Sequence, residues 1–98
     1  GRKDSQFKHL GYRIEPGEIE AAINMLEDIN ECAVVYQENQ LGVKSIKAYI
    51  SLDHETDENK IRNHLKDCIP KYMIPKYIEI CKTLPKNSNG KIDRKQLI

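Results

Sequence analysis

The chain has 98 residues, enough for one hydrophobic core but not for a deep, enclosed active site of its own. Sixteen lysines and arginines stand against 15 aspartates and glutamates, so no charge excess drives general binding to nucleic acid or an anionic membrane, and any basic chemistry must be local. No apolar run approaches the roughly 18 residues that span a bilayer and no apolar signal segment opens the chain, which reads as soluble and cytoplasmic.

Cys32, Cys68 and Cys81 are odd in number and far apart, against both a disulfide framework and a zinc site; they read as buried free thiols. His9, His54 and His64 are equally scattered, and no protein-borne metal site is expected. The opening GRKD has no methionine and is already polar and turn-like, as if cut from something longer.

In chain order, SQFKHLGYRIE carries two short apolar-containing runs around Gly11 and predicts a small hairpin or bent strand pair. In EPGEIEAAINMLEDI, Pro16 suits a first helical position, and Glu18 and Glu20 sit near the positive end of the helix dipole. Ile19, Ala22, Ile23 and Leu26 fall on one buried stripe, leaving Glu20, Asn24 and Glu27 to solvent. ECAVVYQE and VKSIKAYISLD alternate with the period of strands buried on one side: Ile46, Ala48, Ile50 and Leu52 share one face, and Ser45, Lys47, Tyr49 and Ser51 the other. The short NQLG between them makes an antiparallel pair.

HETDENKIRNHLKDCIP predicts a second helix, capped by Thr56 or Asp57, with Ile61, Leu65 and Cys68 stacked on one side. Pro70 ends it by pushing Ile69 out of helical geometry. KYIEIC offers a third strand with Ile78 and Ile80 facing one way, PKNSNG is loop, and DRKQLI forms a last helical turn capped by Asp93. The fold class expected is α+β: a small, mostly antiparallel sheet with helices packed on one face, preceded by a short β-hairpin.

Lys91 is the sharpest chemical candidate. Gly90 accepts positive φ without steric cost and Asn89 tolerates it, so the turn carries Lys91 as a long cation on a mobile tip. An ordinary Asn-Gly turn before a solvated lysine is the plainer reading of that tripeptide alone. Arg2, beside Asp4, is open to two readings: a contact to phosphate or sugar, or a surface ion pair.

Taken together and in order, GRKDSQFKHLGYRIEPGEIE, IPKYMIP and LPKNSNGKIDRKQL resemble the three signature segments of the C-terminal subdomain of adenylate-forming enzymes. The match is closest to the amino-acid adenylation domains of non-ribosomal peptide synthetases and to D-alanine–carrier-protein ligases. The resemblance implies that residues 1–98 are the mobile C-terminal lid of a larger ATP-dependent ligase that releases AMP and pyrophosphate, beginning at the hinge and inactive alone. It makes Asp4 the hinge, Arg2 a nucleotide contact, and Lys91 both nucleotide-binding and catalytic in acyl-adenylate formation. Lys8 and Gly11 fall in the stretch that lines a phosphopantetheine tunnel during thioester transfer. The implied cofactor is ATP, with Mg2+ bound through the nucleotide and an N-terminal adenylation subdomain. The implied partners are that subdomain, a phosphopantetheinyl carrier protein and a small carboxylic or amino acid, with neither nucleic acid nor membrane.

Two departures from the family pattern stand out. His9-Leu10 occupy positions where peptide synthetases commonly show Ile-Arg, removing a charge that would engage an acidic carrier protein, and Pro16 replaces a usual leucine. The alternatives are the lid of an acyl-coenzyme A ligase, whose corresponding stretch usually carries a Gly-Gly pair, and a carrier-protein docking module without catalysis.

Overall fold

The computed structural model describes residues 7–9, 11–52 and 56–97. Arg2 and Asp4, as well as Leu10 and His54, lie outside the described residues.

Strands β1 (Phe7–His9) and β2 (Tyr12–Ile14) pair antiparallel, with His9 opposite Tyr12. Gly11 turns the chain at φ +85°, a left-handed conformation that side chains with a Cβ resist. Helix α1 (Pro16–Asn24) begins on Pro16, whose ring presets φ and whose missing N–H leaves nothing unpaired at a first helical position. Ile19, Ala22 and Ile23 are buried as their spacing predicts; Leu26 is only partly so, since the helix stops at Asn24.

Strands β3 (Ile29–Glu38) and β4 (Lys44–Leu52) form the expected antiparallel pair. The Asn39 side-chain oxygen closes their turn by accepting from the amides of Leu41 and Val43. Helix α2 (Glu58–Cys68) is capped by Asp57, whose carboxylate accepts from the Lys60 amide at 2.7 Å, and ends at Ile69 in extended geometry before Pro70. A short turn of 3-10 helix (Lys71–Met73) leads to β5 (Tyr77–Cys81). With α2 as the crossover, β5 lies parallel to β4, so the three-stranded sheet, ordered β3-β4-β5, is antiparallel along its longer ladder and parallel along its shorter one.

Both faces of this sheet are covered, where the sequence predicted one. Val34, Ile46, Ala48 and Ile50 meet Ile19, Ile23, Ile61 and Leu65 under the helices, and Ile14 of β2 joins that cluster. Each buried Val, Ile or Leu side chain among these is worth about 1.5–3 kcal/mol. On the other face Ala33, Val35 and Tyr49 are sealed by Leu84, Ile92 and Leu97 of the C-terminal segment. Tyr49 looks like a solvent-facing residue in the alternation, yet it is only 7% exposed, because its hydroxyl donates to the Leu97 carbonyl at 2.7 Å.

Four further side chains depart from expectation. Cys68 is exposed and Cys81 intermediate, leaving Cys32 as the buried thiol. Ile80 is 44% exposed, while Ile78 packs on the helix-side core. Glu20 is pulled out of solvent by partners described below.

Candidate functional site

Lys91 stands at the exit of a small, closed turn rather than on a mobile tip. Lys86 and Ile92 form an isolated antiparallel bridge, the Asn87 amide donates to the Lys91 carbonyl at 2.8 Å, and the Asp93 amide donates to the Pro85 carbonyl at 2.8 Å. Gly90, at φ +78°, donates back to the Asn87 carbonyl. The Asn87 side-chain oxygen fills the turn, accepting from the amides of Asn89 at 2.9 Å and Lys91 at 3.1 Å. The Lys91 backbone is thus fixed, and its side chain is exposed without an ion-pair partner among the described residues.

The flanks of this turn are anchored to the sheet. Lys86 pairs with Glu31 of β3 at 2.6 Å. Asp93 caps a short 3-10 turn (Arg94–Gln96), as predicted, and the Leu97 carbonyl accepts from Tyr49 and Gln37. Arg94 reaches across the edge of β3: Nη1 donates to the Val34 carbonyl at 2.9 Å and lies 2.6 Å from Glu20 Oε2, while Nη2 donates to Glu20 Oε1 at 2.8 Å. Glu20 Oε2 also accepts from the Val34 amide at 2.8 Å. Burial, together with the nearby Glu20 carboxylate, pushes the Cys32 thiol up to about 12, so this cysteine is inert at neutral pH.

The β1-β2 hairpin forms the second cluster. Lys8 and Gly11 are exposed, and a Cβ built on Gly11 meets nothing within 4 Å. Its glycine requirement within this chain therefore comes from φ alone. Tyr12 stacks on Tyr72 with ring centroids 3.8 Å apart, and His9 Nδ1 lies 2.8 Å from the Tyr36 hydroxyl, which ties the hairpin to the domain. The hairpin enters the helix-side cluster through Ile14, whereas Ile92, next to Lys91, belongs to the opposite cluster. Gly11 and Lys91 therefore sit on segments that cover opposite faces of one sheet, and the structure does not bring them into one site.

On β4, partial burial works against the Lys47 ammonium, but the Glu79 carboxylate 3.1 Å away and the Tyr49 ring and hydroxyl outweigh it and raise its pKa; the same contact holds Glu79 below its usual range. A shallow groove lined by Arg62, Lys66, Lys71 and Lys76 over Ile69, Ile74 and Pro75 is the local basic patch. Sequence alone assigns no role to Asn87 or Arg94 and leaves Glu20 on the solvent side of α1. Asn87 could have been found, since Asn leading Ser-Asn-Gly is a side-chain-capped turn signal. Nothing local marks the pair joining Glu20 to Arg94, 74 positions apart.

Residues 18–91, from the first turn of α1 to Lys91, match the family described as AMP-binding enzyme C-terminal domain. The chain belongs to this family. It is 44% identical to bacitracin synthase 1 of Bacillus licheniformis and 43% identical to tyrocidine synthase 3 of Brevibacillus parabrevis, each over 99% of its length. It spans only 2% of each of those two relatives. Among solved structures it is similar to o-succinylbenzoate CoA synthetase of Bacillus subtilis in complex with its acyl-adenylate intermediate, at 26% identity and a TM-score of 0.87 over 98% of this chain and 20% of that one. Within this AMP-binding C-terminal domain, Lys91 is the last matched residue, and Lys8, Gly11 and Arg94 lie outside the matched span. No helix among the described residues is long and apolar enough to cross a membrane.

Proposed function

We propose that the chain is the moving lid of an adenylate-forming ligase, a single domain over residues 1–98 that supplies Lys91 to acyl-adenylate formation and the hairpin to thioester transfer. The carrying observation is Lys91 itself: an exposed ammonium without an ion-pair partner among the described residues, on a backbone fixed by Asn87 and by the bridge beside it. In the first step a substrate carboxylate oxygen attacks the α-phosphorus of ATP, and the bond to pyrophosphate breaks. Two anionic groups must meet, and a fixed cation beside them lowers the barrier without any proton moving. Lys91 thus acts by electrostatics and positioning, a contribution on the order of 10² to 10³ in rate.

In the second step a phosphopantetheine thiol gives up its proton to solvent and attacks the acyl carbonyl as thiolate; the bond from the acyl carbon to the phosphate oxygen breaks and AMP leaves. Here the hairpin with Lys8 and Gly11 lines the approach of the arm. The segments of Gly11 and Lys91 belong to opposite faces of the sheet, which supports a lid that presents them in turn, rotating between the steps about Asp4. With the Lys91 turn closed and anchored, the rotation carries it as part of a rigid body. Arg2 contacts the nucleotide.

The remainder of the site belongs to an N-terminal adenylation subdomain, which holds ATP and the carboxylic or amino acid. In this reading Mg2+ is held by the nucleotide phosphates and that subdomain. As acceptor we favour a carrier protein over coenzyme A, since identity to the peptide synthases reaches 44%, against 31% to an anthranilate CoA ligase and 26% to the o-succinylbenzoate CoA synthetase. The deciding experiment, in the complete ligase, is Lys91→Ala. Acid-dependent ATP–pyrophosphate exchange should fall by about 10² to 10³, while thioester formation from preformed acyl-adenylate is retained. Exchange at the unaltered rate refutes the assignment.

A further inference from the structure

The Glu20–Arg94 pair does more than join two surface charges. Among the described residues strand β3 is an edge of the sheet, and at Val34 its outward N–H and C=O meet no strand there. The pair supplies both groups: Glu20 Oε2 accepts from the Val34 amide at 2.8 Å, and Arg94 Nη1 donates to the Val34 carbonyl at 2.9 Å. Two bonded charges thus occupy one residue of a bare edge as a neighbouring strand would, a position that otherwise invites pairing with another chain. Glu20 is well shielded, its side chain only 14% exposed, so the contact forms in a partly dry setting.

The location gives this contact its consequence. Glu20 lies on α1, which directly follows the hairpin of Gly11, and Arg94 lies three positions beyond Lys91. The segment that carries Lys91 is outside the three-stranded sheet, touching strand geometry only in the bridge of Lys86 to Ile92. Arg94 is where this segment crosses the β3 edge and is tied to the helix side.

We propose that Glu20 and Arg94 form a positioning clamp that sets where Lys91 stands relative to the rest of the lid, acting through the backbone of Val34. The inference rests on the catalytic reading of Lys91 and deepens it. Neither residue touches substrate; each acts on the adenylation step through Lys91. A displacement of the order of 1 Å at a reacting group costs about 10²-fold in rate, so loss of the clamp should slow adenylation by roughly ten- to a hundred-fold. The thioester step, which uses the other face, should be spared.

The test is a cycle in the complete ligase with Arg94→Ala, Glu20→Gln and Lys91→Ala, measuring ATP–pyrophosphate exchange and thioester formation from preformed acyl-adenylate. Arg94→Ala and Glu20→Gln should each lower kcat of exchange with little change in KM or in the thioester step. In the Lys91→Ala background they should lower exchange no further, since they act through the group already removed. Arg94→Lys keeps the charge but cannot span carbonyl and carboxylate together, and it should show the same selective loss without the full disruption of an alanine. Equal losses in both half-reactions, or the same loss in both Lys91 backgrounds, overturn the clamp. Hydrogen exchange at the Lys91 amide separates this from the reading of Lys91 as catalytic: it should quicken in Arg94→Ala whatever Lys91 does in the reaction, and unchanged protection overturns the clamp alone.

Discussion

Replacing Asn87 with alanine removes the acceptor at the centre of the Lys91 turn. Its side-chain oxygen receives two neutral N–H donors, from Asn89 at 2.9 Å and Lys91 at 3.1 Å. Both lie at the surface, where water competes, so each contributes near the low end of the roughly 0.5–1.5 kcal/mol net value of a protein hydrogen bond. Together they stabilise the closed turn by about 1 kcal/mol, equivalent to roughly a fivefold change in its opening equilibrium, given that 1.4 kcal/mol is tenfold. The bonds from the Asn87 amide to the Lys91 carbonyl and from Gly90 to the Asn87 carbonyl remain, so the turn loosens without being lost. Amide hydrogen exchange is the assay: the Asn89 and Lys91 amides of Asn87→Ala should exchange about fivefold faster, with core amides such as Ile50 unaffected. Asn87→Asp keeps an acceptor in place and should keep the protection. Equal protection in all three proteins would refute the idea that this side chain holds Lys91 in place.

Two further outcomes follow from the same geometry. Gly11→Ala should lower stability by only about 1 kcal/mol, the penalty of a left-handed conformation, because the added Cβ meets nothing within 4 Å. Gly11→Val in the complete ligase should then impair thioester transfer and spare pyrophosphate exchange; a loss confined to adenylation would contradict the hairpin's role. With an alkylating reagent in native buffer, Cys68 should react readily and Cys32 only on unfolding. Cys32 also carries a pH signature. Its folded pKa is pushed up to about 12 from 9.0, so the folded state keeps a proton that the unfolded chain releases. The associated stability is fully present below pH 9 and is lost as pH rises toward about 12, so urea midpoints above pH 9 should fall less steeply in Cys32→Ala than in the unaltered chain. Parallel curves would contradict this.

Local signals carried much of the fold. Pro16 marked the start of α1, the Thr56-Asp57 pair that of α2 with Asp57 proving the cap, and Pro70 the end of α2, because each acts on backbone groups within a turn of itself. The alternation in β4 gave the helix-side face correctly. It did not disclose that Tyr49 is covered on the reverse, since that depends on the Leu97 carbonyl, 48 positions on. Glu20 shows the same limit: by spacing on α1 it belongs to the solvent side, and only the exposed edge of β3 and the arrival of Arg94 turn it inward. Lys91 stood out as a candidate through the company of its motif, while its fixed backbone rested on Asn87, whose turn-forming habit was visible in Asn-Ser-Asn-Gly. The separation of Gly11 and Lys91 onto opposite faces required the sheet itself.

The most direct measurement is a structure of the complete ligase bound to a stable acyl-adenylate analogue, determined in each lid orientation. Lys91 Nζ should lie within about 3 Å of the adenylate's phosphate or acyl oxygens in one orientation and be withdrawn in the other, where the Gly11 hairpin faces the acyl group. An ammonium remote from the nucleotide in every orientation would contradict the account.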